Sequence, residues 1–243
     1  MRFLVFGDIH DEVERVEIVL RYAEEKYGLP RYVLITGDYG EKEETIIKVA
    51  RKITDYGLEA VSVYGNHEPR IIREKVLNEN SVVPLLGIKF LPLGVTYDCC
   101  GINILGVGGN RGSGKKWSHW RDSQILKIID SVDDIDIILA HEMPFGASDH
   151  CHGKHCGQIV LRKLVEELKP KIYLGGHLHT RPEKGFIGNT VVLKVGGIAN
   201  RGYLREKSFF AIVNLNDSVE IIIGEVDIKN VEKENKVKKN LIS

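Results

Sequence analysis

A secreted cysteine framework, a membrane span and a one-sided charge are all lacking in this chain, and each absence narrows what it can be. Its four cysteines, two of them adjacent at Cys99 and Cys100, are too few to staple a small secreted domain. No apolar run approaches the roughly 18 residues of a membrane-spanning helix. Phe3-Leu4-Val5-Phe6 is also too short for the apolar core of a secretory signal. Lys plus Arg equals Asp plus Glu at 34 each, so charge alone predicts no general affinity for nucleic acid, although a local basic groove stays open. Methionine, tryptophan and glutamine are scarce beside abundant isoleucine, lysine and glutamate, a balance that suits a thermophile. The expectation is a cytoplasmic protein with no membrane partner, and oligomerisation is left open.

What the chain does have is a set of five apolar, largely β-branched runs, each followed at once by a short polar motif. The runs are Phe3 to Phe6, Tyr32 to Ile35, Ala60 to Tyr64, Ile135 to Leu139 and Lys171 to Leu174. They read as strands buried on both faces. The motifs behind them are Asp8-Ile9-His10, Gly37-Asp38, Gly65-Asn66-His67-Glu68, His141 and Gly176-His177-Leu178-His179. Helical patterns over Val13 to Lys26 and Lys42 to Asp55 make the first third a βαβαβ unit, which favours a parallel sheet with right-handed crossovers. All the motifs would then emerge along one sheet edge, where open α/β folds place their sites.

From Ser81 to Gly109 short apolar pieces broken by Pro and Gly predict hairpin strands of a second sheet. Helices are expected over Ser123 to Ser131 and Gln158 to Leu168, and an antiparallel meander over Val191 to Val195, Phe209 to Leu215 and Val219 to Ile223. The predicted fold class is α/β, a four-layer αββα sandwich of two mixed β-sheets flanked by helices. It forms one domain over residues 1–227, with a charged C-terminal tail over 228–243.

Asp8 and His10 lie two apart on an extended segment and project to one side, so they can clasp one ion, and His177 and His179 repeat that geometry. Any one of these motifs is weak evidence for a metal. Together they hold five of the nine histidines, all at predicted strand ends, and gathering so many ionisable groups without a cation would be costly. In this order the motifs resemble the signature of the calcineurin-like metallophosphoesterases: Asp-x-His, Gly-Asp, Gly-Asn-His-Asp/Glu, His, Gly-His-x-His. The match spans Asp8 to His179.

That resemblance implies two divalent metal ions, manganese first, with Fe, Zn, Co or Ni equally compatible with the ligand types. Asp8, His10, Asp38 and His179 would hold one ion, and Asp38 would bridge to a second held with Asn66, His141 and His177. It implies in-line attack of a metal-bridging hydroxide on phosphorus. His67 would serve as the catalytic proton handler, with Glu68 behind it, in a position to orient it. The expected substrate is a small phosphorylated molecule, so the chain reads as a phosphodiesterase or small-metabolite phosphatase. A DNA or RNA nuclease of the same fold is the alternative within the class, and a protein-interaction scaffold that retains its ligands is the alternative outside it. Glu142, after His141, departs from the small or Pro residues usual there and is expected to form a salt bridge or add negative charge near the second ion.

Two further stretches compete for attention. Gly109 to Lys115 matches most of a phosphate-binding P-loop but has Lys116 where Ser or Thr should follow, so a flexible Gly-rich loop is preferred to a nucleotide triphosphatase. Arg111 within it is a candidate phosphate contact, against a plain solvated charge. Asp149 to Gly157 packs His150, Cys151, His152, His155 and Cys156 together. A substrate-facing loop with His155 as the contact is preferred there, with a structural zinc site, a Cys151–Cys156 disulfide or an ordinary surface loop as the other readings.

Overall fold

The computed structural model describes residues 1–201 and 204–231. Strand β1 (Arg2–Phe6) leads to α1 (Val13–Tyr27), β2 (Tyr32–Ile35), α2 (Glu43–Asp55), β3 (Glu59–Ser62) and the short α3 (Arg70–Lys75). Then come β4 (Val83–Leu85), β5 (Ile88–Phe90), β6 (Thr96–Asp98), β7 (Asn103–Val107), β8 (Asn110–Arg111), β9 (His119–Trp120) and α4 (Asp122–Ile129). The chain continues through β10 (Ile137–Ala140), β11 (His150–Cys151), β12 (Lys154–His155), α5 (Ile159–Leu168) and β13 (Ile172–Gly175). It closes with β14 (Glu183–Ile187), β15 (Thr190–Lys194), β16 (Lys207–Leu215) and β17 (Val219–Asp227).

Two mixed sheets result, of order β17-β16-β1-β2-β3-β5-β4 and β14-β15-β13-β10-β7-β6. Their packing explains the uninterrupted apolar runs. On β1, Leu4 and Phe6 face a core shared with α1 and α2, while Phe3 and Val5 face a second core between the sheets. On β10, Ile137 and Leu139 enter that middle core, and Ile138 and Ala140 pack under α4 and α5. Side chains alternate at period 2, so a strand with apolar layers on both faces has no polar positions to show. The layering is the predicted αββα sandwich. Strands β1, β2 and β3 run parallel to one another, as do β7, β10, β13 and β15, and the five motifs leave the carboxyl ends of β1, β2, β3, β10 and β13.

Two expectations need correction. The strands between Ser81 and Gly109 do not form one sheet. Strand β5 pairs in parallel with β3, and Ile88 and Phe90 join the α1/α2 core, so the crossing to the second sheet comes only with β6 and β7. The C-terminal runs are likewise divided: β15 pairs with β13 in the second sheet, whereas β16 and β17 extend the first, with β16 antiparallel to β1. Hairpin-like patterns name local pairing but not the sheet that receives it. Of the expected tail, residues 228–231 form a helical turn: Ile228 is buried, and Val231 packs against the α1/α2 core. The remainder of that tail lies outside the described residues. Among the described residues no helix is long and apolar enough to cross a membrane.

Candidate metal centre

Three of the five motifs turn sharply as they leave their strands. Asp8, His10, Asp38, His177 and His179 all have positive φ, between 46° and 69°. Side chains other than glycine rarely hold that left-handed conformation, which costs about 1 kcal/mol or more per residue and marks functional sites when it clusters. Glycine makes the close approach possible. A Cβ on Gly65 would lie 2.0 Å from Asp38 Oδ1, and one on Gly37, itself at φ +94°, would lie 2.5 Å from the Gly65 nitrogen. The β2 and β3 loops therefore touch backbone to backbone.

The donors converge in two groups. Asp8, His10, Asp38 and His179 present ligand atoms all within 4.8 Å of one another, and so do Asp38, His141 and His177. In the first, His10 Nε2 lies 3.1 Å from His179 Nε2 and 3.4 Å from Asp38 Oδ2. In the second, His141 Nε2 lies 3.1 Å from His177 Nδ1, 3.1 Å from Asn66 Oδ1 and 3.5 Å from Asp38 Oδ1. Asp38 thus offers one carboxylate oxygen to each group. The structure brings together all seven residues that the sequence nominated as ligands.

The arrangement fits cations between these atoms. His141 Nδ1–H donates to the Thr36 carbonyl at 2.9 Å, and His179 Nδ1–H donates to the Ala199 carbonyl at 3.3 Å. Each ring's Nε2 is therefore an unprotonated lone pair, and in His141 it faces the amide oxygen of Asn66, another acceptor. Asp38 Oδ2 is buried with no hydrogen-bond donor among the described residues. A bare buried carboxylate oxygen is costly, and a cation is the partner these acceptors share. Burial, joined by the Asp38 charge, pushes the Asp8 carboxyl well above its ordinary value. Burial also draws His10 down to about 4 and His141 and His177 down to about 3, leaving neutral imidazoles of the form that binds metal.

His67 stands at the open side, its ring 41% exposed and 5.4 Å from the His10 ring. Its Nδ1 faces Glu41 Oε1 at 3.4 Å, a neighbour that the sequence did not suggest. Glu68 does not orient His67. Its carboxylate instead accepts the backbone N–H groups of Asp38 at 2.8 Å, Tyr39 at 3.0 Å and Gly65 at 2.6 Å, and so pins the β2 loop to the β3 loop. Asp38 Oδ1 returns the tie by accepting the Asn66 and His67 N–H groups at 2.7 and 2.8 Å. The carbonyls of Thr36 and Ala199 were invisible in the sequence because every residue carries one.

The outer candidates lie apart from both groups. Arg111 is held in a bidentate ion pair with Asp122, at 2.6 and 2.9 Å. His155 Nδ1 sits 2.7 Å from Asp149 Oδ1 at the rim of a separate cavity of about 550 Å³ that Arg111 also lines. Cys151 and Cys156 are joined as a disulfide, so neither offers a thiolate. Asp149, His150 and His155 still cluster. Gly109 to Lys115 is followed by β9 rather than by a helix for phosphate to cap, which removes the P-loop reading. Among the described residues Glu142 makes no salt bridge: it accepts the Arg111 N–H at 3.0 Å, and burial raises its carboxyl to about 7.

Imidazoles and carboxylates gathered at the carboxyl ends of parallel strands in a double-sheet sandwich define a class, the metal-centred α/β hydrolases. The chain belongs to the calcineurin-like phosphoesterase family, whose model matches residues 1–181, a family that uses divalent metals. Among solved structures, TT1561 of Thermus thermophilus is 16% identical with a TM-score of 0.67, over 92% of this chain and 97% of that one. A dimetal phosphatase from Danio rerio is 9% identical with a TM-score of 0.62, over 93% and 95%. GAP50, the anchor in the inner membrane complex of Plasmodium, is 13% identical with a TM-score of 0.57, over 94% and 85%. At these identities the likeness is one of fold. No curated protein matches the sequence.

Proposed function

We propose that the chain hydrolyses phosphoesters with two divalent ions, acting on phosphodiesters or small phosphorylated metabolites. The observation that carries this reading is Asp38, whose two carboxylate oxygens face two separate donor groups. Asp8, His10, Asp38 and His179 would hold one ion; Asp38, Asn66, His141 and His177 would hold the other. When bound, such ions supply Lewis acidity at the phosphoryl oxygens and lower the pKa of water. The protein's own part is placement. Glu68 and the Thr36 and Ala199 carbonyls fix the ligands, and His67, on the open side, donates a proton to the departing oxygen. Manganese is the first metal to try, with iron, zinc, cobalt and nickel compatible with the same donors.

The complete donor set also weighs against a scaffold, since a protein-binding platform has no need of an Asp38 shared between two groups. The test is a parallel hydrolysis screen of monoester, diester and 2′,3′-cyclic nucleotide substrates with added Mn. Turnover that needs the metal and favours one ester class is the expected result. Absence of turnover on every class, in protein that retains its ions, would sink the reading.

A further inference from the structure

A cavity of about 770 Å³ is lined by Tyr64 and Arg70, the residues that flank the Gly65–Pro69 segment in the chain, and none of the proposed ligands lines it. Tyr64, Arg70 and Arg73, which bracket that segment in the chain, form one wall, and Lys116, Trp117 and Trp120 form the other. The walls are tied together. The Gly109 N–H donates to the Tyr64 carbonyl at 2.7 Å, and the Arg73 guanidinium lies 5.4 Å from the Trp117 ring centroid. The volume is that of a small-molecule site.

The chemistry of the lining is selective. Arg73 Nε, His119 Nδ1 and Trp120 Nε1 are buried with no hydrogen-bond partner among the described residues, and Trp120 is only 1% exposed. The guanidinium and indole groups can only donate, so this wall is short of acceptors. Among the described residues neither Arg73 nor Lys116 makes an ion pair, whereas Arg70 is taken by Glu74; Glu79 is the remaining carboxylate on the lining. Flat, half-exposed surface is available at Trp117. The same loop that looked like a P-loop in sequence supplies Lys116 and both tryptophans.

We infer that this cavity recognises the leaving-group half of the substrate, a planar ring carrying an anionic group. The ring stacks at the Arg73–Trp117 face and the anion meets Arg73 and Lys116. This assignment rests on the phosphoesterase reading, because the group held is the one that phosphoester hydrolysis would release. It explains why a cation-lined cavity is bounded by the residues flanking the segment that bears His67, which would protonate that group.

The chain's two tryptophans both line the cavity, so fluorescence excited selectively at tryptophan, beyond the absorption of its nine tyrosines, reports on it. Adenosine 5′-monophosphate, titrated into the protein as purified, should give a saturable fluorescence change. Adenosine, with no anion, and ribose 5-phosphate, with no ring, should each bind roughly tenfold more weakly, and so should the monophosphate with Lys116→Ala or Arg73→Gln. A silent titration, or a response unaltered in both variants, would overturn the assignment. Metal-dependent hydrolysis of bis(p-nitrophenyl) phosphate by the same preparation separates the two readings. Hydrolysis with silent tryptophans removes the cavity's role alone, whereas a tryptophan response in protein that retains its ions yet turns over none of the monoester, diester and cyclic substrates removes the leaving-group role along with the phosphoesterase.

Discussion

At the scale of single residues, the proposed centre was largely legible because ligands must be particular residue types. Asp8, His10, His177 and His179 could be nominated from their type and spacing, Asp38, Asn66 and His141 from the family resemblance of the ordered motifs, and the structure gathers all seven. Glu68 was misjudged: it looked like a partner for its neighbour His67 yet reaches back to the backbone of Asp38 and Tyr39. Such a tie joins two loops about 30 positions apart, and no local pattern records it. Replacing Glu68 with Ala leaves three buried N–H donors bare, at roughly 1–3 kcal/mol each. The expected result is a loss of at least ~2 kcal/mol in urea unfolding of metal-stripped protein, together with ~10–100-fold weaker metal binding. Unchanged metal affinity would show that the clamp does not position Asp38. His67→Ala should behave in the opposite way, retaining both ions while turnover falls roughly 10²-fold. Loss of an ion in that variant would mean that a ligand had been mistaken for an acid.

At the scale of elements, strands with two apolar faces and helices with clean stops were readable. Helix α1 begins at Val13 as expected and stops at Gly28, which has φ 69°. The short pieces resisted, because β4 and β5 have as much turn character as strand and their sheet is chosen by distant partners such as β3. The β11–β12 hairpin offers an element-scale test. Burial acts to raise the Asp149 carboxyl, but the hydrogen bonds from His155, Gly146 and Gly157 outweigh it and hold the pKa below its ordinary value. A depressed carboxyl stabilises the fold above its unfolded pKa of ~3.9, and that contribution is lost as pH falls through this value toward the folded one. Urea unfolding across pH should therefore show wild type more stable than Asp149→Asn above about pH 5, with the gap closing below about pH 4. A gap that stays constant through that window would assign the loop's stability to packing instead.

At the scale of the whole molecule, the αββα layering followed from counting apolar faces, whereas the division of the C-terminal strands between the two sheets did not. Strand β16 pairs with β1 across more than 200 residues of sequence, a closure that only the assembled core specifies. That closure brings Ala199 over His179 and so completes the proposed site with a carbonyl from the last third of the chain. Metal and fold should accordingly be linked. Ions held by loops from both sheets add RT ln(1 + [L]/Kd) to stability, about 2.7 kcal/mol at a hundredfold excess over Kd, so chelation should lower Tm. The most direct test of a centre shared through Asp38 is metal content per chain, measured beside phosphodiester hydrolysis for wild type and Asp38→Asn. Two ions with metal-dependent turnover in wild type, and loss of at least one ion together with turnover in the variant, is the predicted result; a variant that keeps both ions and its full rate would contradict it.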